Sequence, residues 1–141
     1  MSRHPTVAVY GATGYTGTLI AAELARRGVP TILAGRDALK LDAAAATARA
    51  AGGEIVGVRA ASIDDPQALI AAFDGAATVI NAAGPFIFTG APVLRAAIAA
   101  GAHYVDTTGE QPWIRDTFDV FGADLEAAGV AAVAGMGVDY V

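Results

Sequence analysis

Short apolar runs alternate along the chain with longer segments whose apolar residues recur at helical spacing. The apolar runs predict strands at residues 6–10, 31–34, 54–59, 78–82, 103–106 and 130–134. The segments between them predict five helices. The first two cover residues 15–27 and the stretch from a cap at Asp37 to residue 51. The third begins at Asp64, Asp65 and Pro66, the fourth runs from Pro92 to Gly101, and the fifth begins at Pro112. In the last helix we expect one apolar stripe made of Ile114, Phe118, Phe121 and Leu125.

This alternation of strands and helices predicts one α/β domain over residues 1–141. Right-handed crossovers place helices on both faces of a doubly wound parallel sheet of about six strands. The expected strand order is 3-2-1-4-5-6, that of the Rossmann fold. In such a sheet, ligands bind beyond the carboxyl ends of the strands, so the candidate site lies in the loops that follow them.

The composition narrows the class of protein. Hydrophobic residues make up 55% of the chain and charged residues 16%, which is enough apolar material for a substantial core. A net charge of −5 without a basic cluster argues against a nucleic-acid partner. The absence of cysteine excludes disulfides and fits a cytoplasmic protein. No apolar run approaches the roughly 20 residues of a membrane span, and the N-terminus does not resemble a signal peptide, so we expect no membrane-spanning segment.

A glycine-rich loop follows the first predicted strand in the segment VYGATGYTG. Gly11 permits the turn out of the strand, Gly14 allows a pyrophosphate to approach the backbone, and Gly17 allows close packing of helix on strand. The helix dipole and free backbone N–H groups favour an anion here, and the residues expected to contribute N–H or hydroxyl groups are Thr13, Tyr15 and Thr16. A tight turn without a ligand is the alternative. No lysine follows the glycines, which disfavours a P-loop.

The second strand ends in Gly35 and Arg36, where an NAD site usually carries an acidic residue for the ribose hydroxyl. The planar guanidinium of Arg36 suits the 2′-phosphate of NADP and can stack on adenine. The alternative is a solvated surface charge. We therefore expect NADP as cofactor, with NAD left open, and we expect Asp37 to cap the following helix.

Small residues follow the fourth strand, where the backbone can approach the cofactor. We expect cofactor contact there from Ala82, Ala83, Gly84 and Pro85. Phe86 either lines the nicotinamide pocket or packs in the core, and Thr89 is a candidate helix cap. After the third strand, Ser62 and Ile63 are candidates to border adenine, while Asp64 either does so too or caps a helix.

The fifth strand leads into the segment YVDTTGE. Asp106 ends a buried strand and needs hydrogen bonds or a charged partner. Thr107, Thr108 and Glu110 either contact a substrate or fix the loop, and an acid–base pair of Asp106 with Glu110 stays open. We expect structural roles for His103 and Trp113, and no metal site.

The segments VYGATGYTG, LAGRD, NAAGPF, YVDTTGE and AGMGVDYV together resemble the N-terminal cofactor domain of the saccharopine dehydrogenase-like oxidoreductases. The branch that includes the trans-acting enoyl reductases of actinobacterial lipid synthesis is the most similar. The resemblance implies that Gly11, Gly14, Gly17 and Arg36 bind NADP. It also implies a second, mixed α/β domain after the sixth strand, which holds much of the substrate site and often the dimer contact. It implies no catalytic residue.

These features predict the NADP(H)-binding part of an oxidoreductase that acts on a small molecule. The substrate would be bound mainly by a second domain, so we expect residues 1–141 to be inactive alone and a homodimer to form through that domain. A complete short-chain dehydrogenase is disfavoured because its Tyr-x-x-x-Lys pair is absent and Lys40 is the single lysine. The alternative is a non-catalytic NADP-sensing or interaction domain.

Overall fold

The computed structural model describes residues 4–137. The strands are β1 Val7–Tyr10, β2 Thr31–Gly35, β3 Ile55–Ala60, β4 Thr78–Asn81, β5 His103–Asp106 and β6 Ala132–Val133. The helices are α1 Tyr15–Arg26, α2 Ala38–Ala50, α3 Pro66–Ala72, α4 Phe86–Ala99, α5 Gln111–Asp119 and α6 Gly122–Ala128.

The six strands form one parallel sheet in the order β3-β2-β1-β4-β5-β6, which confirms the predicted fold class and strand order. Tyr10, the last residue of β1, pairs with Ala34 on one side and with Asn81 on the other, and Asn81 pairs with Asp106. The carboxyl ends of these strands therefore meet at one edge. The chain reverses its direction of winding between β1 and β4, which creates a crevice at that edge.

Two apolar clusters cover the two faces of the sheet because alternate strand residues point to opposite sides. Val9 and Leu33 pack with Leu41 and Ala45 of α2 on one face. The larger cluster on the other face joins strand residues to α3, α4 and α5, and its largest members include Phe73, Leu94, Tyr104 and Trp113. No helix within residues 4–137 is both long and apolar enough to cross a membrane.

The fourth helix begins six residues earlier than expected. We predicted its start at Pro92 with Thr89 as a candidate cap, yet α4 starts at Phe86 and both residues lie inside it. Pro92 lacks an N–H and disfavours a helix interior. The earlier start is stabilised from outside the helix, since the Glu110 carboxylate accepts hydrogen bonds from the first two N–H groups of α4.

The segment after β5 forms two helices where we predicted one. The predicted stripe fails at Phe118, whose side chain is 75% exposed, whereas Phe121 is buried. The break between α5 and α6 turns the Phe121 ring against the indole of Trp113, with 5.9 Å between ring centroids. Gly122 begins α6, and its low helix propensity fits the interruption.

Candidate functional site

The glycine loop is fixed between the end of β2 and the segment after β4. The N–H groups of Gly11 and Ala12 both donate to the Ala34 carbonyl, at 3.0 and 3.2 Å. Gly11 has a φ of +81°, and a Cβ there would lie 2.8 Å from the Ala83 nitrogen. Gly11 is therefore required both for the turn and for the close approach of the two loops.

Gly17 and Gly14 have different surroundings. A Cβ on Gly17 would overlap the Gly11 carbonyl oxygen, so Gly17 is required for the packing of α1 on the loop. A Cβ on Gly14 would meet only the same oxygen, at an ordinary 3.5 Å, and Gly14 is exposed. Nothing in the described protein requires a glycine at position 14, and the space beside it is free for a ligand.

The N-terminus of α1 is open to an anion. Gly14 is its N-cap and has no side chain to offer, and the first turn contains no acidic residue. The first helical hydrogen bond runs from the Thr18 N–H to the Gly14 carbonyl at 2.9 Å, so the N–H groups before it have no partner within the helix. By contrast, α2 and α3 are capped by Asp37 and Asp65.

The predicted cap at Asp37 is thus confirmed, at 3.1 Å from the Lys40 N–H. The cap of α3 is Asp65, so the alternative that Asp64 caps this helix is wrong. The Asp64 N–H donates to the Ser62 hydroxyl at 3.2 Å, and both residues are exposed after β3.

Arg36 lies exposed at the end of β2, and no residue in the described range gives its guanidinium a hydrogen bond or an ion pair. It is close enough to Tyr10 to act on that hydroxyl: burial raises the Tyr10 pKa, the Arg36 charge opposes this and the Asp64 charge adds to it. The Tyr10 hydroxyl donates to the Ala61 carbonyl at 2.9 Å. Arg36, Asp64 and the ends of β1 and β3 therefore meet at one side of the crevice.

The loop after β4 is held from within by Asn81. Its Oδ1 accepts from the Ala83 N–H at 3.0 Å, and its Nδ2 donates to the hydroxyls of Thr89 and Tyr104 at 3.3 and 3.2 Å. The Thr89 hydroxyl donates to the Ala83 carbonyl. These bonds place Ala83 against Gly11, and they leave Gly84 and Pro85 exposed at the crevice.

Phe86 is buried in the larger core cluster, so its ring packs in the core and does not line the crevice. Of the two roles considered for this residue, the structure therefore supports the packing role.

Asp106 is completely buried and its carboxylate accepts four hydrogen bonds. The donors are the Tyr104 hydroxyl at 2.6 Å, the Trp113 indole N–H at 2.7 Å, and the backbone N–H groups of Thr108 and Gly135 at 3.1 and 3.0 Å. Burial, reinforced by the Asp106 charge, raises the pKa of Tyr104 well above its ordinary value. With four donors bound, Asp106 has a structural role.

Glu110 is engaged as well, because its two oxygens accept from the Phe86 and Ile87 N–H groups at 2.7 and 3.1 Å. The pairing of Asp106 with Glu110 as general acid and base, which the sequence left open, is therefore not formed. The Thr108 hydroxyl accepts from the Glu110 N–H at 2.9 Å, so Thr108 fixes its loop.

Two buried residues that support the crevice, Asn81 and Gly90, were not predicted from the sequence. Asn81 was the detectable one, because a buried amide at the end of an apolar strand needs partners just as Asp106 does. No local sequence pattern indicated the role of Gly90. A Cβ at this position would overlap the indole of Trp113, so the missing side chain makes room for the ring.

Two surface grooves lie outside the crevice. One of about 630 Å³ runs between α1 and α2 and reaches only Ala12 and Thr13 of the glycine loop. The other, of about 670 Å³, lies along α5. Both are open surface grooves. We place the candidate functional site at the crevice because the glycine loop, the free N–H groups at the start of α1 and the charge of Arg36 lie there. Residues 4–137 contain no cluster of three or more His, Asp or Glu side chains suited to a metal.

Comparison with known families agrees with this geometry. The family model described as the saccharopine dehydrogenase NADP binding domain matches residues 7–133. The chain belongs to this family. NADP is accordingly the cofactor of this saccharopine dehydrogenase-type domain, and the family is one of oxidoreductases.

Curated relatives extend well beyond the matched region. A Mycobacterium tuberculosis protein named as a trans-acting enoyl reductase is 32% identical over 137 residues, which is 96% of this chain and 32% of the relative. The saccharopine dehydrogenase-like oxidoreductase of Bos taurus is 30% identical over 94% of this chain and 34% of its own length. The lipid droplet localized protein of Caenorhabditis elegans is 32% identical over 100% of this chain and 34% of its own. The chain spans about a third of the length of these relatives.

Solved structures share the fold at low identity. Saccharopine dehydrogenase (L-Glu forming) from Saccharomyces cerevisiae, in its apo form, aligns with a TM-score of 0.76 at 20% identity, over 96% of this chain and 28% of that one. A short-chain dehydrogenase from Sphingobium yanoikuyae in complex with NADPH aligns with a TM-score of 0.66 at 21% identity, over 92% of this chain and 70% of that one.

Proposed function

We propose that this domain holds NADPH across the crevice and directs its nicotinamide toward a substrate that a further domain mainly binds. The observation that carries the proposal is the α1 N-terminus, which is uncapped and adjoins free space at Gly14. It lies at the point where the winding of the sheet reverses, between β1 and β4. Helix N–H groups and a dipole aimed at such a space suit a pyrophosphate.

The other exposed groups at this edge suit the remaining parts of the cofactor. In this proposal Arg36 binds the 2′-phosphate, because no residue within 4–137 pairs with its guanidinium. Ser62 and Ile63 border the adenine beside it. The nicotinamide lies over the backbone of residues 82–85, while Thr13 and Thr16, both exposed, add hydroxyl groups near the pyrophosphate.

NADPH, when bound, supplies a hydride at its nicotinamide ring. The protein residues described here bind and orient, because the crevice carboxylates of Asp106 and Glu110 are both committed to hydrogen bonds within the protein. We therefore propose that the group that protonates the substrate, and most of the substrate contacts, belong to a further domain. The roughly threefold greater length of the relatives supports this division.

A titration that compares cofactors, followed by a turnover assay, tests the proposal. We expect the 141-residue chain to bind NADPH more tightly than NADH by calorimetry, and to oxidise bound NADPH negligibly when enoyl or keto substrates are added. Efficient turnover by this chain alone would contradict the division of labour. Tight NADPH binding to a longer chain that carries the further domain and still turns over no substrate would support the alternative of an NADP sensor.

A further inference from the structure

The Glu110 carboxylate links two loops that are far apart in sequence. It lies 24 residues beyond the start of α4 and binds the N–H of Phe86 at 2.7 Å and that of Ile87 at 3.1 Å. We infer that Glu110 is a positioning residue for the nicotinamide: it holds the Gly84–Pro85 turn in place without touching the reacting atoms. This inference rests on the proposed function, which puts the nicotinamide over residues 82–85.

The start of α4 depends on this carboxylate. Its N-cap is Pro85, which has no side-chain group to bind the first N–H groups, and its first turn contains no acidic residue. A negative charge at this position also interacts favourably with the helix dipole. Without Glu110, two N–H groups would lose their acceptors, and the early start of the helix would lose one of the contacts that stabilise it.

The turn is held at one end by the core and at the other by Glu110. On the core side, the Asn81 amide and the Thr89 hydroxyl bind the two backbone groups of Ala83. The exposed Gly84 and Pro85 lie between that anchor and the N–H groups of Phe86 and Ile87. At the far end the Pro85 carbonyl accepts from the Phe88 and Thr89 N–H groups within α4, and Glu110 adds the side-chain contact that joins this end to the loop after β5.

Glu110 is itself held in place by the loop that ends β5. The Thr108 hydroxyl accepts from the Glu110 N–H at 2.9 Å, and the Thr108 N–H donates to buried Asp106 at 3.1 Å. The position of the carboxylate is thus set by the strand next to β4. Arg36 and Ser62 lie on the opposite side of β1, after β2 and β3.

This separation predicts that loss of Glu110 affects only one half of the cofactor. The test compares NADPH with adenosine 2′,5′-bisphosphate, which carries the adenine and the 2′-phosphate but no nicotinamide. In Glu110→Ala, we expect the Kd for NADPH to rise about tenfold, because the turn no longer holds its contacts with the nicotinamide, while the Kd for the bisphosphate stays within about twofold. Glu110→Gln keeps one acceptor and should give an intermediate loss. Glu126→Ala, an exposed acid on α6, is the matched control and should change neither Kd.

Thermal unfolding of each variant shows whether it is folded, and Glu110→Gln carries the test if the alanine variant is not. Equal weakening of both ligands, or no weakening of NADPH, would overturn the positioning role and leave the proposed function standing. A wild-type chain that binds neither ligand would overturn the proposed function, and the positioning role with it.

Discussion

At the scale of single residues, Gly14 and Gly17 of the glycine loop lack a side chain for two different reasons. A Cβ at Gly17 would overlap the backbone of Gly11, whereas a Cβ at Gly14 would meet no atom closer than 3.5 Å. Gly14 also has a φ of −76° and a ψ of 173°, values that any residue adopts. Gly17 therefore serves the fold, and in our proposal Gly14 serves the ligand.

Substitution by alanine should accordingly affect stability at Gly17 and NADPH binding at Gly14. Gly17→Ala should lower the free energy of unfolding by about 3 kcal/mol, because rigid backbone cannot yield to the added methyl group. Gly14→Ala should cost less than about 1 kcal/mol as an N-cap change and yet weaken NADPH at least about tenfold. Urea denaturation and calorimetry on both variants measure the contrast. Equal loss of stability, or unchanged NADPH affinity in Gly14→Ala, would refute the assignment of Gly14.

Arg36 gives a prediction about selectivity between cofactors. Arg36→Gln should weaken NADPH about 10-fold to 100-fold and leave NADH nearly unchanged, because only NADPH carries the 2′-phosphate. Arg115→Gln, an exposed arginine on α5, is the control and should affect neither. A parallel loss of both cofactors in Arg36→Gln would argue that this residue contacts something other than the 2′-phosphate.

At the scale of elements, β4 and β5 are joined below the crevice by buried polar groups. The Tyr104 hydroxyl accepts from Asn81 and donates to Asp106, so one phenol connects both strands. The pKa of Tyr104 is raised above its ordinary value of 10.0 by burial and by the Asp106 charge. The stabilisation that the Tyr104 hydroxyl contributes is therefore fully present below pH 10 and is lost as pH rises, because the unfolded chain releases the proton at a lower pH than the folded chain does.

We expect the free energy of unfolding of the wild type to fall above pH 10 more steeply than that of Tyr104→Phe. The difference between the two slopes should approach about 1.4 kcal/mol per pH unit, which corresponds to one proton. Tyr15→Phe is a suitable control, since Tyr15 is 85% exposed. Denaturation followed by the fluorescence of Trp113, the single tryptophan, provides the measurement. Parallel slopes in wild type and Tyr104→Phe would refute the role of burial.

The sequence correctly predicted those elements whose ends are set by residues close to them along the chain. The His103–Asp106 strand matched its predicted bounds, and Asp37 caps α2 as its spacing indicated. The start of α4 was predicted wrongly because it depends on Glu110, 24 residues later, which no local pattern reveals. The β6 strand was predicted over five residues, but only Ala132 and Val133 pair with β5.

The same distinction holds for the site. The glycine loop and Arg36 could be proposed as cofactor-binding residues because each follows a strand end at a fixed spacing. The buried hydrogen bonds that support the crevice could not be predicted. Asp106 bonds to Trp113 and Gly135, and Asn81 bonds to Tyr104, because the folded arrangement of strands and helices brings these residues together. A buried acid indicates that partners exist, but its position in the sequence does not say which they are.

At the scale of the whole molecule, the sheet brings four loops to one edge and divides the proposed cofactor contacts between them. The loops after β2 and β3 would bind the adenosine half, the α1 N-terminus the pyrophosphate, and the loop after β4 the nicotinamide. Helices α5 and α6 lie on one face of the sheet, where Trp113 and Leu125 join the larger core cluster.

Amide chemical-shift mapping of the ¹⁵N-labelled chain during an NADPH titration tests this arrangement most directly. We expect the largest shifts in residues 11–17, 35–36, 62–63, 82–84 and 86–87, with α6 unaffected. Shifts concentrated along α5 or in the groove between α1 and α2, or saturating NADPH without any shift in residues 11–17, would contradict it.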